Sequence, residues 1–290
     1  MIYAVRHVST VTYATPVKQA QFNLRLAPWA WPGQTLGRQV LHVSPHPDMR
    51  QTMPGPYCVN TTRLRFDNPL DRIEVTSEFT VEITPRPAPG EGPPAAQVQA
   101  EALAVRDLSV LAPAPYLFAS RVAGVDPAIG DWASTHLLPQ AGIVASVSAL
   151  MAALHGEFTY SKGATTSTTP PEQAFAAREG VCQDFAHVMI MALRSHCIPA
   201  AYVSGYLRTL PPPGKPRLVG ADAMHAWVNV WCGEEIGWLG FDPTNNCLSN
   251  GDHILIGMGR DYADVSPIDG TFIGNAPQKM TTAVDVVEAG

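Results

Sequence analysis

Between residues 85 and 94 the chain carries Pro85, Pro87, Pro89, Pro93 and Pro94 together with Gly90 and Gly92. Such a run supports neither a helix nor a central strand. The residues before it are patterned for strands and those after it for helices, so the run divides the chain. At 290 residues the chain is long enough for two units with their own cores. The expected architecture is α+β: an all-β N-terminal domain over 1–84, a linker over 85–97, and a mixed core with a loop-rich tail over 98–290.

The clearest strand is 73–83, where Ile73, Val75, Phe79, Val81 and Ile83 alternate with Glu74, Thr76, Glu78, Thr80 and Glu82. Period two with one dry face is the pattern of a half-buried antiparallel strand, and Ser77 is its weak position. Leu64 and Phe66 between Arg63 and Arg65 make a second strand, closed by the turn at 67–71. Earlier strands are expected at 3–13, 21–26 and 36–43. His7, His42 and His46 are too dispersed for a metal site, and Trp29 and Trp31 read as core or interface.

Beyond the linker, helices are expected at 128–138, after Asp126-Pro127, and at 143–155, ended by Gly156. A polar loop over 159–171 leads to a helical turn, Pro171–Ala177, and then to a helix opening at Cys182. Its apolar residues Phe185, Val188, Met189, Ala192 and Leu193 recur at steps of three and four, the spacing of one buried face. That helix stops before Pro199, since the residue preceding proline is disfavoured in a helix. Strands follow at 200–207, 224–231 and 238–241, with a Pro/Gly-rich excursion at 211–223 and a last strand near 281–287.

With a net charge of −6, nucleic acid and anionic membranes are not the expected partners. No run of 18 apolar residues exists and the first residues lack a signal-peptide pattern, so the expected compartment is the cytoplasm. Five cysteines, at 58, 182, 197, 232 and 247, are odd in number and scattered, unlike a disulfide framework. Cys182 and His187 lie five apart, about 140° round a helix. No C-x-x-C pair joins Cys182, Cys197, His187 and His196 into a zinc site, and no Gly-rich phosphate loop follows a strand. Neither metal nor cofactor is expected.

Cys182 sits at a helix start, where unpaired N–H groups and the helix dipole favour a thiolate. A thiol nucleophile needs a base, and the base needs a partner that fixes its tautomer. His225 opens the 224–231 strand, where it can reach a helix N-terminus packed across the sheet. Asp242 closes the neighbouring strand, held extended by Pro243, and an antiparallel pair would set it beside His225. Cys at a helix start, His opening one strand and Asp closing the next make a rarer combination than any of the three alone.

These residues resemble the transglutaminase-like superfamily, a branch of the papain-like cysteine enzymes. The motifs are Gly180-Val181-Cys182-Gln183-Asp184-Phe185-Ala186, His225-Ala226-Trp227 and Phe241-Asp242-Pro243-Thr244-Asn245. Also similar are the stretch from Ile198 to Tyr206 and the stretch from Gly259 to Val265. The likeness covers about 140–270, and 1–84 look like the β-rich region that precedes this core in the bacterial branch. Two positions depart from the pattern. Ala201 stands where bacterial relatives carry arginine, and Cys197 where glycine is usual.

The resemblance implies Cys182 as nucleophile, His225 as general base and acid, and Asp242 as its orienter. The backbone N–H of Cys182 is the first oxyanion donor, with Gln183 or the Tyr160 hydroxyl as a further one. Trp227, with Trp231, is a candidate substrate-tunnel wall. The expected activity is acyl transfer from peptide or glutamine-type amides, resolved mainly by water, with a peptide or protein as substrate. Two alternatives stay open: a crosslinking transglutaminase with an amine acceptor, and a non-catalytic binding module on the same core.

Overall fold

The computed structural model describes residues 1–209 and 224–289. The excursion expected at 211–223 lies outside the described residues. Six strands precede the linker: β1 (Ile2–Val17), β2 (Gln19–Leu24), β3 (Gln34–Ser44), β4 (Met49–Pro54), β5 (Asn60–Phe66) and β6 (Leu70–Ile83). Along β6 the dry face is buried as its alternation dictates. Ser77, its polar member, donates to the Leu26 carbonyl at 3.0 Å, which satisfies the hydroxyl inside the core. β4 carries no alternation of apolar residues and was not legible in the sequence.

The linker is shorter than expected. Ala95 already begins α1 (Ala95–Ala104), and Pro94 bridges to Gly142. Next come α2 (Pro127–Ser134), capped by the Asp126 carboxylate on the Ile129 N–H at 3.1 Å, and α3 (Ile143–Glu157). Gly156 falls inside α3 rather than ending it, and α2 stops four residues before 138. Short β7 (Thr159–Tyr160) and β8 (Glu179–Gly180) flank α4 (Pro171–Ala177) and pair in parallel. α5 (Cys182–Ser195) is buried on every side from Asp184 to Arg194, not on one face only. Its surroundings are α2, α3 and α4 on one side and the core sheet on the other.

That sheet is antiparallel, ordered β12-β11-β10-β9-β13. Its strands are β9 (Ala200–Leu207), β10 (Met224–Trp231), β11 (Trp238–Asp242), β12 (Cys247–Leu248) and β13 (His253–Gly259). Ala226, Val228 and Val230 share a core with α5, while Trp227 joins Cys58, Val203, Leu255 and Met258 in another cluster. Cys197 takes the left-handed turn that ends α5 at φ 55°, the conformation glycine adopts without strain. Ala201 is fully buried. The buried cation nearby is Arg194, whose Nε and Nη2 donate to the Ala200 carbonyl at 3.1 and 2.8 Å.

After α6 (Tyr262–Val265) the chain returns to the N-terminal region. β14 (Ile268–Ile273) pairs with β2 and β15 (Gln278–Glu288) with β1, so the tail expected to be loop-rich is largely strand. Two four-stranded sheets result, β15-β1-β6-β3 and β14-β2-β5-β4. β1 and β6 are 16 and 14 residues long, about 50 Å at the usual rise. One end of their buried face packs on the second sheet through Val11, Tyr13, Phe22, Leu64 and Ile73. The other end packs on β9 and β13 through Tyr3, Val5, Phe79, Tyr206 and Ile254. These long strands fasten the β region to the core. No helix among the described residues is long and apolar enough to cross a membrane.

Candidate active site

The approach to Cys182 is built from main-chain contacts. Tyr160 pairs with Gly180, and Ser161 N–H donates to the Gly180 carbonyl at 2.9 Å. The Asp184 carboxylate reaches back to the Val181 N–H at 2.8 Å and takes the Thr165 hydroxyl at 2.6 Å. An acidic residue at this position satisfies a free N–H of the first turn. It also lies so close to Gly180 that a Cβ there would sit 2.7 Å from the carboxylate. Glycine is therefore favoured two residues before the thiol. The outcome is a half-buried Cys182 as the first residue of α5.

Opposite the helix start, the β10–β11 ladder pairs Val228 with Phe241 and carries Asp242 to the end of β11. His225 Nε2 lies 2.8 Å from Asp242 Oδ2, and Cys182 is close enough to the same ring to act on its charge. With Nε2–H committed to the carboxylate, Nδ1 is the nitrogen left for sulfur. Burial disfavours the charged imidazole, but the hydrogen bond to Asp242 and the nearby Cys182 outweigh it and raise the His225 pKa to about 9.

Asp242 is wholly buried. Its Oδ2 accepts from His225, from His253 Nε2 at 3.0 Å and from Asn245 Nδ2 at 2.7 Å. Its Oδ1 accepts the backbone N–H groups of Thr244 and Asn245 at 3.0 and 3.2 Å. Burial alone would raise its pKa, yet the donors from His225 and His253 hold the carboxyl well below the usual carboxylate range. The ligand atoms of His225, Asp242 and His253 lie within 4.8 Å of one another, near enough to hold a metal ion. Their separations of 2.8 and 3.0 Å are those of N–H···O bonds, and the carboxylate is already saturated with donors.

The other expected site residues fall in different places. Tyr160 is 46% exposed; burial and the nearby Cys182 both raise its pKa, which keeps the phenol protonated as a donor. Gln183 turns its amide to the Ser167 carbonyl at 3.3 Å. Trp227 and Trp231 are 2% and 6% exposed, too buried to wall a wide tunnel, although Trp227 lines a small cavity with Trp31, Trp238 and His253. Trp227 instead stacks on His225, with centroids 6.2 Å apart, and meets His253 edge-on at 5.2 Å. The zinc grouping weighed from the sequence does not converge. His187 accepts the Tyr262 N–H at 3.2 Å and His196 lies 3.0 Å from the Gly130 carbonyl.

Three neighbours were missed by sequence reasoning. Asn245 stands in the Phe241–Asn245 stretch, where nothing local signals its contact with Asp242. His253 opens an apolar run, His253-Ile254-Leu255-Ile256, whose strand character was the available signal. Tyr202 is buried between the stacked His187 ring, at 4.9 Å, and Tyr262. Burial first, then the proximity of Cys182, Tyr262 and Asp184, raises its phenol well above the ordinary value.

Comparison with known proteins gives matches in both regions. Residues 136–243 match the transglutaminase-like superfamily and residues 3–82 the bacterial transglutaminase-like N-terminal region. An uncharacterized protein of Mycobacterium tuberculosis is 35% identical over 291 residues, spanning 98% of this chain and 92% of that one. One of Mycobacterium leprae is 41% identical over 110 residues, 37% of either chain. The crystal structure of a candidate cysteine protease from Cytophaga hutchinsonii superposes with a TM-score of 0.75 at 22% identity. It covers 100% of this chain and 92% of that one, which is likeness of fold.

Proposed function

Because the chain belongs to the transglutaminase-like superfamily, we propose that it is a cysteine acyltransferase of the hydrolase kind, acting on peptide or glutamine-type amides. The observation that carries this reading is the His225 ring, bonded to Asp242 at 2.8 Å and set beside Cys182. An imidazolium beside a helix-start thiolate is the resting pair of such a nucleophile. The thiolate attacks the amide carbonyl. His225 gives its proton to the leaving amine, and the C–N bond breaks to leave a thioester on Cys182. His225 then takes a proton from water, which attacks the thioester and releases the acid and the Cys182 thiolate, restoring the resting pair.

The tetrahedral oxyanion has the Cys182 N–H as its first donor, with the protonated Tyr160 hydroxyl as a second from the strand paired with Gly180. Water is favoured over an amine as acceptor. Crosslinking needs a dry, shaped tunnel for the amine to outcompete water at about 55 M. The two tryptophans that would wall it are buried, and the loop over 161–170 is polar and mostly exposed. The test is a glutamine-containing peptide with excess labelled primary amine, with both products measured. Free acid with little labelled amide is the expected result; labelled amide dominating at millimolar amine would reverse the choice of acceptor.

A further inference from the structure

Asp242 serves two imidazoles, and only one of them faces the thiol. We propose that His253 is a positioning residue for the reaction above: its Nε2–H pins Asp242 Oδ2 toward His225, and its ring closes the far side of that carboxylate. The inference rests on the Cys182–His225–Asp242 reading and adds a fourth member to it.

Three observations support the assignment. First, the tautomer is set by the chain itself. The ionised Asp242 carboxylate can only accept, so the ring proton sits on Nε2, 3.0 Å from it, while Nδ1 lies 3.2 Å from both the backbone N–H and the side-chain oxygen of Asn250. Second, the ring is held. Its side chain is 3% exposed and Trp227 meets it edge-on at 5.2 Å. Third, His253 forms part of the wall of a cavity of about 210 Å³, with Trp31, Pro85, Leu248 and Asn250, whereas Asp242 does not reach that wall. Removing the imidazole would leave Asp242 without its third Oδ2 donor and open it to the cavity. A hydrated, rotatable carboxylate orients and charges a neighbouring histidine less well than a fixed, dry one.

The titratable groups around His253 are few. Asp242 faces it from β11 and His225 from β10, with ring centroids 6.2 Å apart. Asp252, next in the chain, is engaged by Arg208 at 2.7 Å and by the Tyr3 hydroxyl at 3.2 Å. A change in the titration of His225 on altering His253 would therefore be transmitted through Asp242.

The experiment measures the rate of Cys182 alkylation by iodoacetamide across pH 4–11 in the full chain, with folding checked by circular dichroism. In the unaltered protein the profile should show an upper step near pH 9, where the His225 imidazolium loses its proton. His253→Leu fills the space but cannot donate, and should move that step down by about one pH unit or more. His253→Gln restores an N–H at similar reach and should bring the step back. An unmoved step in folded His253→Leu would overturn the proposal. So would a lowered step in His253→Gln, which decides the matter if the leucine variant does not fold. Failure of the underlying triad looks different: Cys182 of the unaltered protein would then label no faster than the exposed Cys197.

Discussion

Gly205 lies directly opposite His225 in the β9–β10 ladder, and its missing side chain is what admits the Trp227 ring. A Cβ at Gly205 would stand 2.4 Å from the Trp227 ring and 2.3 Å from the Ile254 carbonyl. The indole that stacks on His225 thus depends on a glycine one strand away. Gly205→Ala should destabilise the fold by about 1–3 kcal/mol, the range for overpacking a dense core. It should also slow Cys182 alkylation by displacing Trp227 and His225. Urea unfolding and the alkylation rate check the two effects, and an alanine variant equal to the parent in both would contradict the packing account.

Cys182 should outpace the other four thiols toward iodoacetamide near pH 7. Burial pushes the Cys58 and Cys232 thiols up to about 12, and Cys247 to about 11 through burial and the neighbouring acids Asp242 and Asp252. Cys197 is exposed and serves as the internal reference for a freely accessible thiol. Peptide mapping after a brief pulse reads out all five. Equal modification of Cys182 and Cys197 would remove the basis for an activated nucleophile.

Asp242→Asn should keep the fold yet lower turnover about ten- to ten-thousand-fold, as orienting carboxylates do in other triads. His225→Ala should cost at least as much. Steady-state rates on the glutamine peptide test this. Full activity in Asp242→Asn beside an inactive His225→Ala would mean that another group orients the imidazole.

Stability should peak near pH 6.5. The folded-state pKa of His225 is raised from 6.5 to about 9: burial opposes the shift, and the bond to Asp242 and the nearby Cys182 drive it. Its contribution is complete below 6.5 and is lost as the pH rises through 9, about 3 kcal/mol in order of magnitude. His7 and His187 work in the opposite sense. Burial lowers each from 6.5 to about 4, so stability falls as the pH drops through that interval and the unfolded chain gains protons. Urea melts from pH 4 to 9 should give a dome whose alkaline limb flattens in His225→Ala. A level profile would refute the assignment of these titrations.

Cys197→Gly should stabilise the protein by about 0.5–1 kcal/mol. The residue closes α5 at φ 55° with its N–H on the Arg194 carbonyl at 3.0 Å, and Ile198 N–H reaches the Leu193 carbonyl at 3.0 Å. A side chain strains this left-handed turn, whereas glycine does not, though its freer unfolded chain offsets part of the gain. A melting temperature below that of the parent would show that the turn is unstrained.

What the sequence determined by itself was whatever period and punctuation encode locally. The alternation in 73–83 specified a strand and its buried face, the Pro/Gly run marked where strand patterning gives way to helix, and Gly180-Val181-Cys182 marked a helix start. The order of Cys182, His225 and Asp242 suggested a site because each stands at the end of an element. Tertiary structure alone decided which strands meet. β15 pairs with β1 across most of the chain length, and nothing in 278–288 names that partner, since ladder bonds come from backbone groups common to all residues. The same holds for side chains. Trp227 shares strand parity with His225, yet whether that face met solvent or the β region depended on β13 and on Cys58 packing against it. His253 acquired its place on Asp242 only once the sheet had closed, because a hydrogen bond between residues on separate strands is a property of their approach and leaves no mark on either stretch of sequence.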